Sequence, residues 1–195
     1  MKTMAIETAR MAVVRTAALR ITLALAAAVL PAAGPGWAAG AAAPELHVKK
    51  TVTIAAPASK VWDTVKDFGA LQTWHPAVAS DEIVSGTAGT PGAVRLLTLK
   101  GGGTIKEKLL EYDDKGHRFR YAIVEGVLPV SHYTSTLVVT SLAENKTLVT
   151  WSGRFKRKDP GESPADTEND KAGTDAISGV YQTGLDNLKK IVAAK

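Results

Sequence analysis

VRLLTLKGGGTIKEKL, residues 94–109, reads as two strands joined across Lys100-Gly101-Gly102-Gly103, with one charge on the apolar face of each. Strand alternation groups Arg95 with Leu97 and Leu99, and groups Glu107 with Ile105 and Leu109 on the returning strand. A three-residue loop with Leu99 opposite Gly103 sets Arg95 directly across from Glu107, within reach of a charge-assisted hydrogen bond. A slip of two residues leaves them diagonal neighbours. Charges on a core face are costly, so the two mark either a structural ion pair or the polar end of a pocket.

Outward from this hairpin the same alternation continues, predicting strands at 79–85, 93–99, 104–112, 117–125, 132–141 and 146–156. Turns separate them: Gly86 to Gly92 with Pro91, the triple glycine, Asp113 to Gly116, Gly126 to Pro129, and Ala143 to Asn145. Six consecutive strands with tight turns make an antiparallel meander. One face of it is aromatic and apolar, since Phe119, Tyr121 and Ile123 alternate with Arg118 and Arg120, and Val149, Trp151 and Phe155 with Thr150, Ser152 and Arg154.

Before the meander, residues 46–54 alternate as a first strand with a wet face that carries His47 and Lys49. Pro57 suits the first turn of a helix whose apolar stripe is Val61, Trp62 and Val65. A second short helix over 68–73 ends at Trp74-His75-Pro76, because the residue before a proline resists the helical region. After the meander, a charged, proline-containing loop at 156–171 leads to a helix over 174–193, with Ile177, Val180, Tyr181, Gly184, Leu188 and Ile191 at helical spacing. That helix has one apolar face to bury, and the meander has one to offer.

The first forty residues belong to a different kind of sequence. Lys2, Arg10, Arg15 and Arg20 precede an apolar run from Ile21 to Leu30, followed by small residues, the layout of a secretory signal. The run is too short to span a bilayer. Cleavage is expected between residues 39 and 43, giving a signal at 1–40 and one domain at 44–195; an uncleaved anchor on the same domain is the alternative. Without residues 1–40, which hold four of the 24 basic and one of the 19 acidic residues, 20 basic residues face 18 acidic ones. A sequence pI of 9.4 therefore does not argue for nucleic acid. The absence of cysteine excludes a disulfide framework, a thiol nucleophile, a thiolate metal site and a lipid-bearing cysteine. An exported chain of this kind is expected in the periplasm, with no stable membrane insertion of its mature form.

The elements in this order resemble a known family. The residues that carry the likeness are Pro57 with Val61-Trp62, Trp74-His75-Pro76, Gly92 with Val94-Arg95, Gly102-Gly103, Glu107, Tyr121, Leu128-Pro129, Tyr133, Trp151, Gly179-Val180-Tyr181 and Gly184-Leu185. Together they resemble the polyketide cyclase/dehydrase-like branch of the SRPBCC superfamily, over about residues 46–193. Among exported members the chain is also similar to the MxaD-type accessory proteins of bacterial methanol oxidation. The resemblance implies the helix-grip fold of START domains and the birch pollen allergen. That is an α+β architecture in which a curved antiparallel sheet of about seven strands wraps a long C-terminal helix, with two short helices after the first strand and a hydrophobic cavity between helix and sheet.

Within that architecture the candidate ligand-binding residues are Trp74, Arg95, Glu107, Tyr121, Tyr133 and Trp151. If the turn at Asp113 to Gly116 closes on three residues, Tyr121 comes beside Glu107. An inward Glu, Arg and Tyr orient a carbonyl or carboxylate ligand or serve as a general base with an electrophilic partner; alternatively they brace the sheet as a satisfied ion pair. His75 serves either as a base or as a ring that caps backbone groups at a helix end. His47, His117 and His132 have no acidic companion at ligand spacing, so no metal site and no cofactor are expected. The triple glycine joins strands and opens no helix, so it is a turn and not a phosphate cradle.

Three functions fit. The first is periplasmic binding of a small hydrophobic or amphipathic ligand between sheet and C-terminal helix. The second is an accessory protein that acts through its surface on a periplasmic redox enzyme of the methanol-oxidation type. The third is a cofactor-free cyclase, dehydratase or isomerase using Glu107.

Overall fold

The computed structural model describes residues 43–194, so the expected signal at 1–40 lies outside the described residues. Seven strands form one antiparallel sheet: β1 (Leu46–Ile54), β2 (Val78–Ser85), β3 (Val94–Leu99), β4 (Thr104–Asp113), β5 (Arg118–Gly126), β6 (Val130–Ala143) and β7 (Lys146–Arg157). Their order is β1-β7-β6-β5-β4-β3-β2, so the meander runs from β2 to β7 and the first strand returns beside the last. Helix α1 (Ala58–Val65) follows β1, and helix α2 (Asp170–Ala193) closes the chain against β1 and β7. The architecture is the α+β helix grip expected from the sequence. Among the described residues no helix is long and apolar enough to cross a membrane.

The core lies between the sheet and the helices because that is where the alternating apolar residues point. Leu97, Leu109, Phe119, Tyr121, Leu137, Val149, Trp151 and Phe155 from the strands meet Ile177, Tyr181, Leu185 and Leu188 from α2, all buried. Burial of this apolar surface is the main force holding helix to sheet. Gly184 lets α2 approach closely: a β-carbon there would lie 2.8 Å from the Trp151 ring and 2.6 Å from that of His75.

Three local expectations are corrected. The second short helix is only a 3-10 turn, Leu71–Thr73, because the Phe68 carbonyl is held by Arg95 instead of continuing a helix. Helix α2 begins at Asp170, four residues earlier than the apolar periodicity shows, because Asn169 caps it by accepting from the Ala172 N–H at 2.9 Å. The third correction concerns register. Arg95 does pair with Glu107, but Tyr121 pairs with Leu109 and Glu107 with Ile123, because the β4–β5 turn leaves four residues between Asp113 and Arg118 instead of three, a shift that the β-bulge at Leu110 only partly offsets. Tyr121 is therefore a diagonal neighbour of Glu107 and not its direct one.

Candidate ligand cavity

The hairpin that opens the sequence argument builds one wall of a buried polar site. The β3–β4 register sets Arg95 across from Glu107, and both guanidinium contacts fall on one oxygen, Nε at 2.8 Å and Nη2 at 2.6 Å from Glu107 Oε2. On its other side Arg95 Nη1 donates to the Phe68 carbonyl at 2.8 Å and to Asp81 Oδ2 at 3.2 Å. Its plane also lies 4.2 Å from the Phe68 ring centroid and 5.4 Å from that of Tyr121. Asp81 Oδ2 accepts the Leu71 N–H as well, at 2.9 Å, while Asp81 Oδ1 is buried without a partner.

Two carboxylates thus share one cation away from water. Burial drives the pKa of both Asp81 and Glu107 above the ordinary carboxylate range, and Arg95 only partly opposes this. Burial also works against the charge on Arg95, but Glu107 and Asp81 outweigh it and hold the guanidinium protonated. Glu107 Oε1 has no hydrogen-bond partner among the described residues.

A second polar group sits beside the first. Trp151 Nε1 donates to the Tyr121 hydroxyl and to Ser135 Oγ, each at 3.0 Å. Ser135 Oγ is 3.0 Å from the Ser152 carbonyl and 2.7 Å from the Tyr181 hydroxyl, which is 2.6 Å from the Tyr133 hydroxyl. One assignment of protons satisfies every contact: Ser135 donates to the Ser152 carbonyl, Tyr181 to Ser135 and Tyr133 to Tyr181. The Tyr121 proton takes part in none of these bonds, and Ser135 and Tyr133 also lie within reach of its hydroxyl. Burial first, and Glu107 second, push the Tyr121 pKa up to about 12, and burial lifts those of Tyr133 and Tyr181 well above 10, so all three remain phenols.

Between these groups and α2 is a cavity of about 80 Å³, lined by Glu107, Tyr121, Tyr133, Trp151 and His75 among apolar residues that include Leu97, Ile105 and Ile177. Half-buried Leu99, Leu128 and Val180 belong to the same lining and mark where it nears solvent. Four of the six candidate residues therefore border one space, and two do not. Arg95 stands behind Glu107, and Trp74 packs on Trp151 with ring centroids 5.5 Å apart while its carbonyl accepts from Asn187 Nδ2. His75 caps backbone: its Nε2–H donates to the Val180 carbonyl at 3.0 Å, and Nδ1 accepts from the Ala77 N–H at 3.3 Å.

Three participants escaped sequence reasoning. Asp81 lies on β2, whose bulges obscure which face its residues take. Ser135 is a small polar residue on the inward face of β6, a position whose alternation with Tyr133 and Leu137 could have exposed it. Tyr181 reads as core from helical spacing, and only the absence of a side chain at Gly153 makes room for its hydroxyl, 2.3 Å from where a β-carbon would stand.

A model of the family described as polyketide cyclase / dehydrase and lipid transport matches residues 45–193. Among solved structures, the protein XoxI from Bacillus cereus is 30% identical, with 75% of this chain and 95% of that one covered and a TM-score of 0.65. An uncharacterised protein from Bacillus thuringiensis is 29% identical, with 76% and 99% covered and a TM-score of 0.65. The Zhui aromatase/cyclase from Streptomyces sp. R1128 is 18% identical, with 77% and 94% covered and a TM-score of 0.62, a likeness of fold alone.

Proposed function

The chain belongs to the polyketide cyclase / dehydrase and lipid transport family, and from that premise we propose that it is an exported, periplasmic protein that binds a small amphipathic molecule by its polar end. The observation that carries this reading is that Tyr121, whose hydroxyl proton the chain of bonds does not require, and Glu107, whose contacts with Arg95 fall on Oε2 and leave Oε1 available, border the same otherwise apolar cavity. A neutral hydroxyl group answers both, accepting from Tyr121 and donating to Glu107. A carboxylate head would meet Glu107 and lose part of that pairing. The signal layout of residues 1–40 supports export.

At about 80 Å³ the cavity is below the roughly 300–1,000 Å³ usual for pockets that enclose a whole ligand. It has room for a polar head, and the body of the ligand then lies toward Leu99, Leu128 and Val180. The test is a titration of the mature protein with 1-octanol, 1-methoxyoctane and octanoate, followed by NMR. Preferential binding of the alcohol, shifting Tyr121 and the Trp151 indole, is the expected result; no binding, or equal binding of all three, contradicts the proposal. The same small volume favours a second reading, in which the cavity is structural and the protein acts through its surface on a periplasmic enzyme.

A further inference from the structure

The outer face of the sheet carries a groove of about 570 Å³ over β1, β7, β6 and β5. Strand register explains its chemistry. One cross-strand row reads Lys49, Ser152, Thr136, Arg120, and the adjacent row reads His47, Arg154, Thr134. Cations thus flank a floor of hydroxyls, and no carboxylate lines the groove. At one end β5 and β6 stop pairing beyond Ala122 and Thr134, where a bulge holds His132 at a φ of 51° and splays the strands.

We propose that this groove docks a short, extended, acidic segment of a partner protein. Lys49 and Arg120 are three strand steps apart, roughly 14 Å, which is about the length of four extended residues. A segment crossing the strands with carboxylates four residues apart reaches both cations, and Ser152 and Thr136 lie beneath it as hydrogen-bonding groups. Carboxylates outside the lining stand at the groove's two ends. Glu111 is 2.8 Å from Arg120, and Glu45 is 3.5 Å from His47 and 4.0 Å from Arg154, whereas Lys49 has no ion pair among the described residues.

Those terminal carboxylates argue against a long polyanion, which would run into them, and so does the near balance of 20 basic and 18 acidic residues after residue 40. The pairs they make are exposed and weak, so an incoming carboxylate replaces them at little cost. Docking here does not involve the cavity, and either proposal can fail without the other.

The experiment is fluorescence anisotropy of labelled octaglutamate with the mature protein at low salt. Binding is expected, weakening at least about tenfold in Lys49→Glu/Arg154→Glu and strengthening in Glu45→Gln, with circular dichroism unchanged. Should the charge reversal perturb the fold, Lys49→Ala and Arg154→Ala singly are expected to weaken binding in the same direction. The proposal is overturned if octaglutamate binds no better than octalysine, if the variants leave its affinity unchanged, or if single-stranded DNA or phosphatidylglycerol vesicles bind the same groove as tightly.

Discussion

Gly184 of α2 stands against His75 so closely that a β-carbon would lie 2.6 Å from Cδ2 of the ring and 3.0 Å from the Nε2 that donates to Val180. Gly184→Ala therefore either pushes the ring off its backbone acceptor or lifts the helix from Trp151. Overpacking of this kind costs about 1–3 kcal/mol, more than the gain of up to ~1 kcal/mol from replacing glycine in a helix. Gly179 in the same helix has open space around it, so Gly179→Ala is expected to stabilise. Urea denaturation of the two variants reads the contrast directly; equal shifts would mean that the helix does not depend on this approach.

His75 also gives stability a pH dependence with a definite sign. Burial first, and Arg95 after it, lower its pKa below the 6.5 of an unperturbed ring. Below that pH the unfolded chain takes up a proton that the folded chain refuses, so stability falls as pH drops from 6.5 through the lowered value. Asp81 and Glu107 act in the opposite sense, since their raised values let the folded state bind protons first and gain stability as pH falls. The His75 contribution is isolated by comparing the pH slope of the denaturation midpoint with that of His75→Gln, expected to be flatter just below pH 6.5. Parallel slopes would show that the ring titrates alike in both states.

Arg95 holds two carboxylates and a carbonyl, whereas Glu107 holds only Arg95. Removing the cation leaves Asp81 and Glu107 buried without it; removing Glu107 leaves Arg95 still paired with Asp81 and Phe68. Arg95→Leu is accordingly expected to cost about 3–5 kcal/mol, Glu107→Leu less, and the double variant less than their sum. The reverse order, or strict additivity in chemical denaturation, would contradict the cluster.

The opposition of Arg95 and Glu107 was legible because a glycine turn of fixed length sets register and alternation sets face. What the sequence concealed were features that break those two rules. Unpaired Leu110 and Val124 shift the β4–β5 register, and nothing in their identity announces a bulge. Asp81 reaches Arg95 from a strand whose pairing is itself shifted, between Val78 and Ser80 and again near Ser85. The cavity's volume is a difference between large sums of side-chain volume, so no single position encodes it. Its lining was more accessible: Glu107, Tyr121 and Trp151 follow from alternation and Tyr133 from the family resemblance, while Arg95 shares the inner face and Trp74 ends the 3-10 turn, both one layer away from the space.

The separation between bordering the cavity and standing behind it yields the prediction closest to function. Tyr121→Phe removes the hydroxyl proton and leaves Trp151 its bond to Ser135 at 3.0 Å, so the fold has a remaining partner for the indole. Glu107→Gln keeps the shape and lets an amide oxygen accept from Arg95, but it replaces the acceptor facing the cavity with an NH₂ donor. Each variant is expected to weaken 1-octanol binding by at least about tenfold, ~1.4 kcal/mol, in isothermal titration. The two variants should part on 1-methoxyoctane: Tyr121→Phe weakens it as well because the ether still accepts, whereas Glu107→Gln leaves it unchanged or tightens it because the ether has nothing to donate. If the two variants shift both ligands alike, the loss reflects a disturbed cavity, and the pairing of a hydroxyl with Tyr121 and Glu107 is wrong.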